Sequence, residues 1–177
     1  MNTTTHAHDA HSYDTRATGA SHHGMNPYAR LAAMLGLSFV AMFVLMYAMV
    51  DRYANALPNI NQVYMAGLMV APMLVIELAL MRAMYPNKAL NVGLLVLGVV
   101  LTLGLWIAIR EQSGVDDRQF LRSMIPHHAG AVLMCEQASI SDPEIQRLCL
   151  TIIISQQAEI ESMKLLLARA DAMANSR

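Results

Sequence analysis

Apolar and polar positions divide this chain into a tail, three long apolar runs and a periodic C-terminal part. Residues 1–29 are rich in Thr, Ser, Ala, Asp and Gly and have no apolar periodicity, so a disordered tail is expected there. Apolar runs then extend from Leu31 to Val50, Val63 to Met81 and Ala89 to Ile109. Each has about 20 residues, which at about 1.5 Å per residue matches the hydrocarbon thickness of a bilayer. Beyond Gly114 the pattern changes to apolar residues three or four apart: Ile145, Leu148, Cys149, Ile152, Ile153, Ile160, Met163 and Leu167. That is helix periodicity with one apolar stripe. The predicted architecture is all-α: a three-span transmembrane domain over 30–110, then an antiparallel helical hairpin over 115–172.

Punctuation supports this division. Asp51 to Gln62 contains a Leu-Pro-Asn turn, and Tyr85-Pro86-Asn87-Lys88 makes a tighter one, so the spans run up, down and up. Tyr47, Tyr53, Tyr64, Tyr85 and Trp106 fall near the span ends, where interfacial aromatics concentrate. Lys and Arg nearly balance between the two sides, so the positive-inside rule gives no orientation. In the hairpin, Asp116 with Gln119 forms a capping-box pattern. Pro126 predicts a kink or a restart. Ser141-Asp142-Pro143-Glu144 opens the second helix, with Asp as cap and Pro at its first position.

The short connection makes these helices antiparallel. Counting outward from it places Cys135 near Cys149, His127 and His128 near Gln156 and Gln157, and Met124 near Glu159 and Met163. Gln156 is the polar residue on its helix's apolar stripe, and a buried amide requires partners, which a histidine pair opposite would supply. Two helices alone form a thin core. A homo-oligomer is therefore expected, most simply a twofold dimer through the hairpin that completes a four-helix bundle.

Composition strengthens the membrane reading. The 177 residues are 55% hydrophobic and 14% charged, and mean hydropathy is +0.37. The bilayer is the expected partner. A net charge of -1 gives no support to nucleic-acid binding. The 15 methionines are an excess that needs an account. Met65, Met69, Met73 and Glu77 recur every four residues in the second run, and Met42, Met46 and Met49 form a similar series in the first. A thioether stripe ending in a carboxylate can pass a soft cation. The competing reading is that Met fills gaps between helices while Glu77 pairs with Arg82 or snorkels. Gly67 and Ala71 allow a neighbouring helix to approach closely. Five of the seven histidines lie in the tail, where any metal site would be weak because the chain must order around the ion.

The densest candidate chemistry is the stretch Met124 to Cys135, which contains His127, His128 and Met134. Residues three or four apart share a helix face. Imidazole, thioether and thiolate together suit soft or borderline metals, copper above all. The candidate ligand set is Met124, His127, His128, Met134, Met163, Cys135 and Gln156. The alternative is core packing with a hydrogen-bonded histidine pair, in a membrane-tethered oligomerisation module with no metal role. No carboxylate is spaced with a His as a di-iron site requires. No Ser/His/Asp or Cys/His catalytic order is legible, and there is no phosphate-binding Gly loop. A non-enzymatic role is therefore expected.

Three elements resemble a known family: Phe120-x3-Met124-x2-His127-His128-x2-Ala131-Val132-x-Met134, then Asp142-Pro143-Glu144-Ile145, then Gln156-x2-Glu159-Ile160-x2-Met163. They resemble the domain-of-unknown-function 305 family, which includes CopM-like copper-binding proteins and has a ferritin-like helical bundle. The preceding spans resemble a membrane-anchored subgroup through Asp51-Arg52-Tyr53 and Asn61-Gln62-Val63-Tyr64-Met65. The resemblance implies copper storage, tolerance or delivery at a bacterial inner membrane, with the N-terminus cytoplasmic and the hairpin periplasmic. Cys135 departs from the family, where Ala is more typical, and Cys149 is a departure too. The pair offers either two more ligands or, in an oxidising compartment, a disulfide worth about 3 kcal/mol that removes both as ligands.

Overall fold

The computed structural model of the protein describes residues 26–176, and every described element is helical. The expected disordered, His-rich tail lies outside the described residues except at its end. There Asn26 caps helix α1, Pro27–Leu45, by accepting from the amide of Tyr28 (3.0 Å). Proline at the first turn fits because its missing N–H is one the helix would leave unpaired anyway. Helix α1 tightens into a 3-10 turn, Met46–Met49. Helix α2 spans Ile60–Leu80, α3 Lys88–Arg110, α4 Asp117–Gln137 and α5 Pro143–Asn175. The first three, with the 3-10 turn, are long and apolar enough to cross a membrane.

Helix α2 is central to this trio and packs against both α1 and α3. Its buried face is Ala66, Val70, Ala71, Leu74 and Leu78. Glycines set the α2–α3 approach. A Cβ on Gly98 would lie 2.7 Å from Val75 Cγ2, and one on Gly67 would lie 2.9 Å from Leu105 Cδ1. At the N-terminal end, Tyr28 Oη donates to Asn91 Oδ1 (2.9 Å) and accepts from the amide of Asn87 (3.1 Å), which ties α1 to the α2–α3 turn.

Helices α4 and α5 form the antiparallel hairpin. Leu121, Ile125, Ala129 and Val132 line one face of α4 and meet Ile160, Met163 and Leu167 of α5. The far ends are joined by Arg118 and Asp171 and, at the turn, by a Cys135–Cys149 disulfide with Cα atoms 5.2 Å apart. The hairpin is not the bare two-helix unit that the sequence suggested. Val50 and Leu57, from the α1–α2 connection, pack beneath its core. The outer half of α5 remains uncovered, with Ile145, Leu148 and Ile154 exposed.

Pro126 neither breaks nor restarts α4, which is assigned as helix throughout. Proline at position i removes the N–H that would reach the carbonyl of residue i−4, here Arg122. Asn59 Nδ2 lies 3.4 Å from that Arg122 oxygen. The same side chain caps α2 through Oδ1, which accepts from the amide of Gln62 (2.9 Å). Gln119 is also diverted. Asp116 accepts from its amide (2.7 Å) as the capping box requires, but the Gln119 side chain accepts from the amide of Ile60 (3.0 Å) instead of reaching back. Tyr64 Oη adds a bond to the Ser113 carbonyl (2.8 Å). The hairpin is thus seated on the start of α2 by side chains that cap helices.

Candidate metal cleft

Where α4 crosses the end of α1, backbones come close. A Cβ on Gly130 would lie 3.2 Å from the carbonyl oxygen of Met49. Beside this crossing is an open cleft of about 590 Å³. The 3-10 turn contributes Met46 and Met49, the start of α2 contributes Met65, and α4 contributes Met124, His127 and Met134. Three separate elements thus line one space with Met and His side chains. Pro126 and Gly130 also line it, so the helix wall there is low in bulk, and Asn59, Asn61, Gln62 and Gln112 add side-chain amides to the rim.

The predicted ligand set divides between two faces of α4. Met124, His127 and Met134 line the cleft. His128, one residue on, is rotated about 100° around the helix, as 3.6 residues per turn requires. It faces α5, with its side chain only 12% exposed and Nδ1 3.1 Å from Glu159 Oε2. That Nδ1 is buried without a well-aligned hydrogen bond. The two imidazole rings are 6.1 Å apart and inclined at 58°. Met163 belongs to the hairpin core and is 9% exposed, so one cluster joining it to Met134 does not form. Gln156 is half-buried on α5 and lies outside the cleft lining. Cys135 is bonded to Cys149 and in that form has no thiolate to offer.

Among the described residues, no three His, Cys, Asp or Glu side chains converge as metal ligands would. The soft donors that line the cleft are thioethers and one imidazole. Such a set is poor for calcium or magnesium, which take oxygen, and suited to Cu(I) or Ag(I). The contribution of Met46, Met49 and Met65 was not foreseen as part of this site. The available signal was the three- and four-residue methionine spacing of the first two apolar runs, which says nothing of where the hairpin lands.

A second, smaller pocket of about 360 Å³ lies at the opposite end of the helical trio, where Arg30, Met34, Glu77, Met81, Met84 and Tyr85 meet. Glu77 accepts from Tyr85 Oη (3.2 Å), a partner other than the expected Arg82. Burial first, and the Glu77 carboxylate second, push the Tyr85 phenol up from its ordinary value, so it remains a donor.

Comparison with known proteins agrees with the C-terminal motifs. The family described as Domain of unknown function (DUF305) matches residues 107–173. Uncharacterized protein L153 of Acanthamoeba polyphaga mimivirus is 34% identical over 142 residues, which cover 76% of this chain and 91% of that protein. The chain belongs to the DUF305 family. The matched segment holds the hairpin up to the last two residues of α5, including Met124, His127 and Met134, together with the last residues of α3. No solved structure matches the chain.

Proposed function

We propose that this DUF305 protein is a membrane-embedded binder of a soft cation, copper in the first place, serving metal storage, tolerance or delivery. The observation that carries the reading is the shared cleft. Five thioethers, from Met46, Met49, Met65, Met124 and Met134, and the imidazole of His127 line one space at the hairpin's base. A soft ion takes thioether and imidazole ligands, and this cleft is lined by both. The resemblance to CopM-like copper-binding proteins points the same way.

In this reading the helical trio crosses a bilayer and the hairpin faces an oxidising compartment. The Cys135–Cys149 disulfide supports that side, because such bonds persist outside reducing cytosol. In a bacterial inner membrane that side is the periplasm, with the N-terminus in the cytoplasm. A second copy, in the same reading, covers the exposed apolar residues of outer α5. The protein has no catalytic role here.

One feature favours a structural role for part of the His pair. His128 is held between the hairpin helices against Glu159 and is assigned to packing, whereas His127 is assigned to the ion. The test is competition of the purified full chain, in detergent, with a Cu(I) chelator. Wild type binds Cu(I), and Met124→Leu/His127→Ala weakens binding at least tenfold. Equal affinity and stoichiometry in both would contradict the proposal and leave the protein as a tethered helical module.

A further inference from the structure

A polar pocket of about 230 Å³ lies between the α1–α2 connection and α5, and it shares no lining residue with the metal cleft. Asp51, Arg52 and Asn55 line it from the connection, and Gln157, Glu161 and Lys164 from α5. Its acceptors are buried: the Asp51 side chain is 6% exposed and Asn55 3%. Asp51 Oδ1 accepts from the Arg52 amide (2.7 Å) and from Asn55 Nδ2 (2.7 Å). Asp51 Oδ2 has only Arg52 Nε at 3.9 Å, too long for a hydrogen bond. A carboxylate only accepts, so Asn55 turns its Nδ2 to Asp51 and its Oδ1 is left over. That Oδ1 is buried and has no hydrogen-bond partner among the described residues. Buried acceptors ordinarily have donors. Two here, on side chains four residues apart, call for one group with several N–H bonds. The cations of the pocket are more exposed, at 73% for the Arg52 side chain and 35% for Lys164. Glu161 is 72% exposed and bonds to Lys164 at 3.2 Å. The volume is several times the roughly 30 Å³ of one water, so a group larger than a bare ion fits.

We infer that this pocket receives a primary ammonium joined to a phosphate, the headgroup chemistry of phosphatidylethanolamine in the leaflet on the hairpin's side. The inference rests on the reading that the helical trio crosses a bilayer. The connection joins the ends of two of those helices, and its Tyr53 is 96% exposed, as a ring at headgroup level is. The ammonium has three N–H donors and a positive charge. It gives hydrogen bonds to Asp51 Oδ2 and Asn55 Oδ1 and offsets the buried carboxylate. Arg52 and Lys164 take the phosphate through charge-assisted bonds. A choline headgroup has no N–H to give, and a glycerol headgroup brings no positive charge to Asp51, so the pocket selects by chemistry. Asp51 and Asn55 belong to the connection and Lys164 to α5, so a bound headgroup fastens the hairpin to the membrane surface.

The experiment titrates the full chain in detergent with short-chain phosphatidylethanolamine, phosphatidylcholine and phosphatidylglycerol, read by native mass spectrometry. Phosphatidylethanolamine should bind at least tenfold more tightly than the other two. Asp51→Asn should abolish that preference, because an amide donor then faces the ammonium. Arg52→Gln, at a largely exposed side chain that folding does not require, should weaken phosphatidylethanolamine binding at least threefold. Equal binding of the three lipids, or phosphatidylethanolamine binding unchanged in Arg52→Gln, overturns the inference. Soluble phosphoethanolamine distinguishes the source: displacement of the lipid at millimolar concentration supports a site that reads the headgroup alone. Binding of phosphoethanolamine by a chain that does not enter phosphatidylcholine liposomes would overturn the bilayer reading and the lipid source, and would leave the pocket chemistry standing.

Discussion

Asn59 Nδ2 approaches the Arg122 carbonyl at 3.4 Å, the acceptor that Pro126 leaves without its helical partner. One amide thereby joins the cap of α2 to the proline turn of α4 and, with the Gln119–Ile60 and Tyr64–Ser113 bonds, seats the hairpin on the apolar helices. The cleft has its shape because these two elements meet there.

Asn59→Ala removes both the α2 cap and the partner of Arg122. A lost cap costs about 1 kcal/mol, and the lost bond to the Arg122 carbonyl adds about 0.5–1.5 kcal/mol. Equilibrium unfolding in detergent should show the sum. Pro126→Ala restores an amide at position 126 that can take the Arg122 oxygen. In that background Asn59→Ala should therefore cost less by about 1 kcal/mol, a coupling that a double-mutant cycle measures. Strict additivity would show that the two residues do not share the acceptor.

Gly130 has a packing role. A Cβ there would already press on the Met49 carbonyl at 3.2 Å, and that oxygen is backbone and cannot rotate aside. Gly130→Val should destabilise the chain by about 1–3 kcal/mol. It should also weaken Cu(I) binding, because it moves the α4 donors away from Met46 and Met49. A variant with wild-type melting and wild-type affinity would refute the close crossing.

The disulfide encloses the hairpin turn between Cys135 and Cys149. A loop of this length is worth about 3 kcal/mol in the chain-entropy account. Cys135→Ser/Cys149→Ser should lower thermal stability accordingly and leave Cu(I) stoichiometry unchanged, since neither sulfur lines the cleft. A fall in stoichiometry would return the cysteines to the ligand set.

The two histidines should separate by experiment. His127→Ala should weaken Cu(I) binding at least tenfold with little change in stability. His128→Ala should leave binding within about twofold. It should lower stability by about 1–3 kcal/mol, because Glu159 loses its neighbour and a space opens between the hairpin helices. The reverse result would place the ion on the α5 side.

Much of the architecture is legible in the chain. Long apolar runs and Pro-Asn turns define α1 to α3, and Asp142-Pro143 defines the start of α5. Counting residues outward from the turn is enough to place Cys135 near Cys149, but not to decide between a disulfide and two ligands. The site was harder to read because adjacent histidines look like one donor group in a linear motif. A rotation of about 100° per residue sends His127 to the cleft and His128 to the hairpin interior. Met163 has the right spacing for a ligand, but thioethers also fill cores, and only packing decides between the two. Met46, Met49 and Met65 join the site through a tertiary crossing that depends on Gly130, Pro126 and Asn59, each from a different local rule. No periodicity in the sequence encodes that meeting.

The central claim is that the cleft holds a soft ion through methionine sulfur and His127. X-ray absorption at the copper edge, on the purified full chain loaded with Cu(I) under ascorbate, tests it most directly. The account predicts a first shell dominated by sulfur with one imidazole nitrogen, and loss of the imidazole signal in His127→Ala. A shell of only oxygen and nitrogen, or a spectrum unchanged by removing His127, would contradict it.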